Sequence, residues 1–261
     1  MSRSHVLSGV LMANSPFPSD TAAMHATAPV KGLLYLHGFN SASCSPKARL
    51  MQRAAEQFGL PCVMPDIPPE PGAGQAAVNA AYLTLCERLA LDPADPACDD
   101  AIMVIGSSMG GFLATWLVAR EAARLEGPAG PSQSVWRQGP RSVLINPAVR
   151  PARLVSEWLG SVHANPYTGV TFTVTEDFGP GLLALEAEPV TAQRTLVLLA
   201  TADETLDVND AAGLYQGSRL IITPGGDHGF AQLAEYLPAI MAHGGHRLAP
   251  ATAAAMHVAP D

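Results

Sequence analysis

Charge is scarce in this chain of 261 residues: only 15% are Asp, Glu, Lys or Arg, while 48% are hydrophobic. A disordered polypeptide shows the opposite balance, and this length suffices to bury a sizeable core as one large domain. Basic residues are fewer than acidic ones, the formal net charge is −8, and no run of Lys or Arg occurs. A polyanionic partner would be repelled, which excludes nucleic acid and anionic membrane as expected partners. Only four cysteines occur, Cys44, Cys62, Cys86 and Cys98. None forms a C-x-x-C pair, so they read as reduced thiols, and no His/Cys cluster has metal-ligand spacing. No apolar run approaches the roughly 20 residues a membrane span requires. Also missing are an internal repeat, the G-x-x-x-x-G-K-[ST] phosphate loop and the G-x-G-x-x-G dinucleotide fingerprint. Residues 1–29 are rich in Pro, Ser, Ala and Thr, without sustained periodicity. They read as a flexible N-terminal extension rather than a good signal peptide, which makes the cytoplasm the default compartment.

What is present begins at Lys31, where short apolar runs alternate with longer amphipathic segments. Strands are expected at 32–38, 61–66, 101–106, 141–146, 195–200 and 219–226. Helices are expected at 46–58, 75–91, 109–126, 208–216 and 230–243, the last having to tolerate or bend at Pro238. Continuous apolar strands alternating with helices imply an α/β fold, with a mostly parallel sheet of about six strands covered on both faces. The domain is expected over 30–244, with a loop near 127–141, a lid-like insertion at about 147–190 and a flexible tail at 245–261. In such sheets functional residues gather at the carboxyl ends of the strands. Residues 37–40, Ser107, Ser108, Asn146, Asp203, Asp227 and His228 all stand there.

The segment GSSMGG at 106–111 fits G-x-S-x-G in one register, with Ser108 at its centre. It lies between the strongest strand and the longest helix, the context of a nucleophile elbow. Serine is a weak nucleophile until a base takes its proton. Of eight histidines, His228 in GGDHGF follows the last strand and obeys the order Ser, acid, His. The acid should follow the preceding strand, where TLVLLATADETLD offers Asp203 first, then Asp207, with Glu204 third. Asp207 also suits the N-cap of the next helix. The expected oxyanion donors are the backbone amides of Met109 and of Phe39 in LHGFN. His37 reads as an orienting or packing residue. Together with Asn40, Trp158 and Tyr167 it is a candidate for the substrate pocket. Trp158, Tyr167, Phe172 and Phe178 are the aromatic residues of the lid-like segment. Asn146 is expected to hydrogen-bond near the site without taking part in the chemistry.

The motifs LLYLHGFNSAS, GSSMGGFLATWL, LINPAVRP, NPYTG, ADETLD and GGDHGF together resemble the YqiA-type esterases, a compact branch of the α/β hydrolases. The resemblance covers residues 31–241 in patches. It implies the α/β-hydrolase fold and a triad at Ser108, Asp203 and His228. It also implies hydrolysis of a small-molecule acyl ester or thioester without a cofactor. The chain departs from that pattern in residues 1–29, in the Gly/Pro/Ser-rich stretch near 127–140, and in ADET where GDE is the familiar form. Two other readings remain at this stage, a peptidase or amidase on the same fold and a non-catalytic binding protein that keeps the scaffold.

Overall fold

The computed structural model describes residues 28–123 and 138–256. The N-terminal extension and the 127–140 stretch fall almost wholly outside these residues. The chain enters through β1 (Gly32–Leu36), α1 (Pro46–Glu56), β2 (Cys62–Val63), α2 (Pro71–Arg88) and a short α3 (Ala97–Ala101). The centre is formed by β3 (Ile102–Ser107), α4 (Met109–Ala123) and β4 (Arg141–Ile145). Then come α5 (Val155–Trp158), the strands β5 (Val162–Ala164) and β6 (Thr171–Thr173), and α6 (Phe178–Leu183). The last third holds β7 (Thr195–Ala200), α7 (Val208–Leu214), β8 (Arg219–Thr223), α8 (Leu233–His243) and α9 (Pro250–Ala255).

Six strands form one all-parallel sheet in the order β2-β1-β3-β4-β7-β8. Strands β1, β3, β4 and β7 are buried along their whole length. That is why their central residues read as continuous apolar runs rather than as alternating ones, with polar residues only at the strand ends. Two apolar layers flank the sheet. Leu34, Val104, Leu144 and Val197 pack with α2 and α4. Tyr35, Met103, Ile105 and Leu198 pack with α1 and α8.

Several expectations need correction. The strand expected at 61–66 is only Cys62–Val63, because Pro65 and Pro68 cannot extend a ladder. Helix α2 starts earlier than expected, at Pro71, whose ring suits a first helical position. The tail expected to be flexible at 245–261 holds α9, with Leu248, Ala253 and Met256 buried. Arg53 Nη2 donates to Met256 O at 2.7 Å, and His246 Nε2 lies 2.8 Å from Val30 O. An Ala-rich segment carries too weak a pattern to reveal that docking in advance. The region between β4 and β7 is more regular than expected, since β5 and β6 pair as an antiparallel hairpin.

Candidate active site

The turn between β3 and α4 is sharp. Ser108 has φ +56°, a left-handed value that costs a residue with a side chain. Close packing holds it there. A Cβ on Gly106 would collide with the Gly110 carbonyl, and one on Gly110 with the Leu36 carbonyl. The turn is therefore pressed onto the end of β1, and Ser108 stands raised at the sheet's carboxyl edge.

His228 and Asp203 reach this serine from loops after β8 and β7. His228 Nε2 lies 2.9 Å from Ser108 Oγ. Its Nδ1 lies 2.8 Å and 3.0 Å from the two carboxylate oxygens of Asp203. The Asp203 side chain is only 4% exposed, so water barely competes for the imidazole. Asp203 Oδ1 is itself fixed by the amides of Thr205 and Leu206, both at 2.8 Å. The other two acids serve elsewhere. Asp207 caps α7, accepting from Asn209 N. Glu204 accepts the backbone N–H of His228 at 3.0 Å, a bond that holds its carboxyl below the usual range.

Asn146 ties the end of β4 to the end of β7 and to the loop after β8. Its Oδ1 accepts from Ala200 N at 2.9 Å. Its Nδ2 donates to Asp227 O at 3.0 Å and His228 O at 3.3 Å. The sequence suggested a hydrogen bond here but not that it would reach the histidine loop.

On the other side of Ser108 runs the loop after β1. His37 is buried, and its Nε2 accepts from Ile67 N at 2.9 Å. The proton is thus on Nδ1, which donates to Gly38 O at 2.8 Å. Burial lowers the His37 pKa, consistent with this neutral orienting form. Gly38 packs so close that a Cβ there would stand 3.0 Å from Ser108 Cβ. The amide of Met109 follows Ser108 directly in the chain, and that of Phe39 follows Gly38. Among the described residues, neither donates a backbone hydrogen bond within the protein.

Beside these amides opens a cavity of about 280 Å³. His37, Phe39, Asn40, Met109 and Trp158 line it, and Leu113, Val155, Phe172, Phe178 and Leu182 make most of its apolar wall. Phe39 and Phe172 meet edge to face with centroids 5.0 Å apart. Tyr167 is a correction: it does not line the cavity and is 45% exposed. It sits in the β5–β6 turn, where the Asn165 carboxamide binds the Tyr167 and Thr168 amides and Gly169 supplies a φ of +71°. Composition alone did not reveal that turn.

Sequence reasoning missed Lys47, whose Nζ donates to Ser107 Oγ at 2.8 Å. A lysine early in a helix gives no signal that it is turned inward. Among the described residues, no group of three or more His, Cys, Asp or Glu side chains is placed to hold a metal ion. Nor is any helix there long and apolar enough to cross a membrane.

Comparison with known proteins agrees with this architecture. A family model described as an uncharacterised protein family, UPF0227, matches residues 32–125 and 134–244. Among solved structures, a protein from Agrobacterium vitis S4 superposes with a TM-score of 0.59 at 17% identity, over 81% of this chain and 87% of its own. Est1E from Butyrivibrio proteoclasticus gives 0.55 at 14% identity, over 83% and 86%. Mouse alpha/beta hydrolase domain-containing protein 10 gives 0.54 at 15% identity, over 81% and 86%. Identities this low speak for a shared fold.

Proposed function

The chain belongs to the UPF0227 family and has the α/β-hydrolase fold, in line with the resemblance read from its motifs, and from that premise we propose that it is a serine hydrolase of acyl esters or thioesters. One observation carries this reading: the continuous line from Ser108 Oγ through the His228 ring to the Asp203 carboxylate. The Ser108 proton passes to His228 Nε2 as Oγ bonds to the acyl carbon. Asp203 holds the ring orientation and stabilises the imidazolium. The carbonyl oxygen, now negative, is received by the amides of Met109 and Phe39. The bond to the leaving group breaks, and the alkoxide or thiolate takes the proton from Nε2. Water then gives its proton to His228 and its oxygen to the acyl carbon. Ser108 recovers its proton as the acid departs.

The apolar cavity beside the amides takes the acyl chain. It sits near the small end of the roughly 300–1,000 Å³ typical of ligand pockets, which suits one short or medium chain. The segment between β4 and β7, which supplies Trp158, Phe172 and Phe178, acts as its lid.

The test is labelling with a fluorophosphonate probe together with hydrolysis of p-nitrophenyl butyrate. Wild type should label and turn over, and Ser108→Ala should do neither. Asp203→Asn should lose on the order of 10⁴ in kcat, the scale seen when a triad imidazole loses its orienting carboxylate. Asp207→Asn should stay within a few-fold of wild type. Labelling that survives Ser108→Ala would mean another nucleophile. No labelling of folded wild type would favour a binding protein on this scaffold.

A further inference from the structure

Lys47 is the second residue of α1, and its side chain reaches inward to the hydroxyl of Ser107. Ser107 is buried, ends β3 and immediately precedes Ser108. This is a poor place for a cation. Among the described residues no carboxylate forms an ion pair with Lys47. The start of a helix is the positive end of its dipole, and the first turn of α1 carries no acidic residue to offset that. Burial pushes the ammonium down to about 8, while Asp227 and Asp203 act on it in the opposite direction. Several local rules broken at one residue beside a site point to a role in that site.

The geometry shows which role. The loop that carries Gly38 and Phe39 enters α1 at its N-cap, Ser45. A bond from Lys47 to Ser107 therefore ties the far end of that loop to the strand that presents Ser108. Phe39 and Met109, whose amides are the proposed oxyanion donors, sit on the two parts so joined. Helix α1 packs with Met103 and Ile105 on one face of the sheet. Most of the cavity's apolar wall packs on the other, with Val104 and Leu144.

We propose that Lys47 is a positioning residue for the Ser108 nucleophile, acting through Ser107 and by means of its positive charge. This rests on the reading of Ser108 given above. Because Lys47 lies across the sheet from the acyl cavity, its loss lowers kcat and leaves KM nearly alone. Because its charge matters, the neutral amine does not substitute for the ammonium. The titratable groups that act on it are Asp227, in the loop after β8, and Asp203, in the loop after β7, which also holds the His228 ring.

The experiment uses the full chain as wild type, Lys47→Met, Lys47→Arg and Ser108→Ala. Hydrolysis of p-nitrophenyl butyrate and the rate of fluorophosphonate labelling are followed from pH 6 to 10, with a melting curve for each protein. Lys47→Met should lose about ten- to a hundredfold in kcat, the scale of a small misplacement at a reacting centre, with KM within about twofold. Wild type should decline above about pH 8 as the ammonium is lost, and Lys47→Arg should hold its activity there. A Lys47→Met protein with wild-type kcat and pH profile, beside an inactive Ser108→Ala, would overturn the proposal. If Lys47→Met melts early, the arginine variant decides, since an alkaline decline identical to wild type overturns it equally. A folded wild type that neither turns over nor labels would instead remove the nucleophile reading beneath it.

Discussion

Replacing Asn146 tests how the site is held, and its cost follows from counted bonds. The side chain accepts one hydrogen bond from Ala200 N and donates two, to the carbonyls of Asp227 and His228. Asn146 is 3% exposed and Ala200 is 0% exposed, so no bulk water replaces the bond to the Ala200 amide, whereas water can reach the half-buried pair to Asp227 and His228. In Asn146→Gly the Ala200 amide becomes a buried orphan, worth about 1–3 kcal/mol, and each lost donation adds roughly 0.5–1 kcal/mol. The sum is about 2–5 kcal/mol. For a domain of this size each kcal/mol moves Tm by about 2–4 °C, so a fall of roughly 4–20 °C is expected. Asn146 also has φ +40°, which glycine adopts freely and alanine does not. Asn146→Ala should therefore melt below Asn146→Gly by a further increment of up to about 1–2 kcal/mol. Thermal melts followed by circular dichroism read both differences. In the same variants kcat should fall more than KM changes, because the loop that carries His228 loses its anchor to β4. An Asn146→Gly protein that melts within about 1 °C of wild type would refute the reasoning, since a buried amide cannot be orphaned without cost.

Two other outcomes are expected. Leu182→Trp, at a buried cavity-lining position, should shift the preference in a p-nitrophenyl ester panel from acetate to laurate toward shorter chains. An unchanged preference would mean that the acyl group binds elsewhere. Burial lowers the folded-state pKa of His37 below its ordinary 6.5, so below that pH the unfolded chain binds more protons. Stability should then rise with pH across that window and be lost as pH falls through it. Tm measured from pH 7.5 to 5.5 should fall less steeply in His37→Gln, which still donates and accepts but does not titrate. His243 is shifted in the same direction, so some slope should remain.

The frame of this protein is written locally along its chain. Strands buried on both faces must be apolar throughout, so TLVLLA and IMVIGS announced themselves without reference to anything distant. The elbow was legible for a local reason as well, since the turn that holds a left-handed serine lays residues 106 and 110 against backbone carbonyls and so needs glycine at both. The order of His228 and the candidate acids after their strands followed from chain connectivity. Tertiary structure decided what depends on residues far apart in the chain. Chain order put Asp203 ahead of Asp207 and Glu204, but it takes the path of the loops to bring the first to the imidazole, Glu204 to its backbone and Asp207 to a helix cap. Tyr167 and Trp158 look alike as lid aromatics until the β5–β6 hairpin leaves one largely in solvent and the other on the cavity. Lys47 reads as a solvated helix residue until α1 is laid against the end of β3. Local periodicity reports which side of an element is buried, whereas a hydrogen bond across 60 residues of chain exists only once the elements are packed.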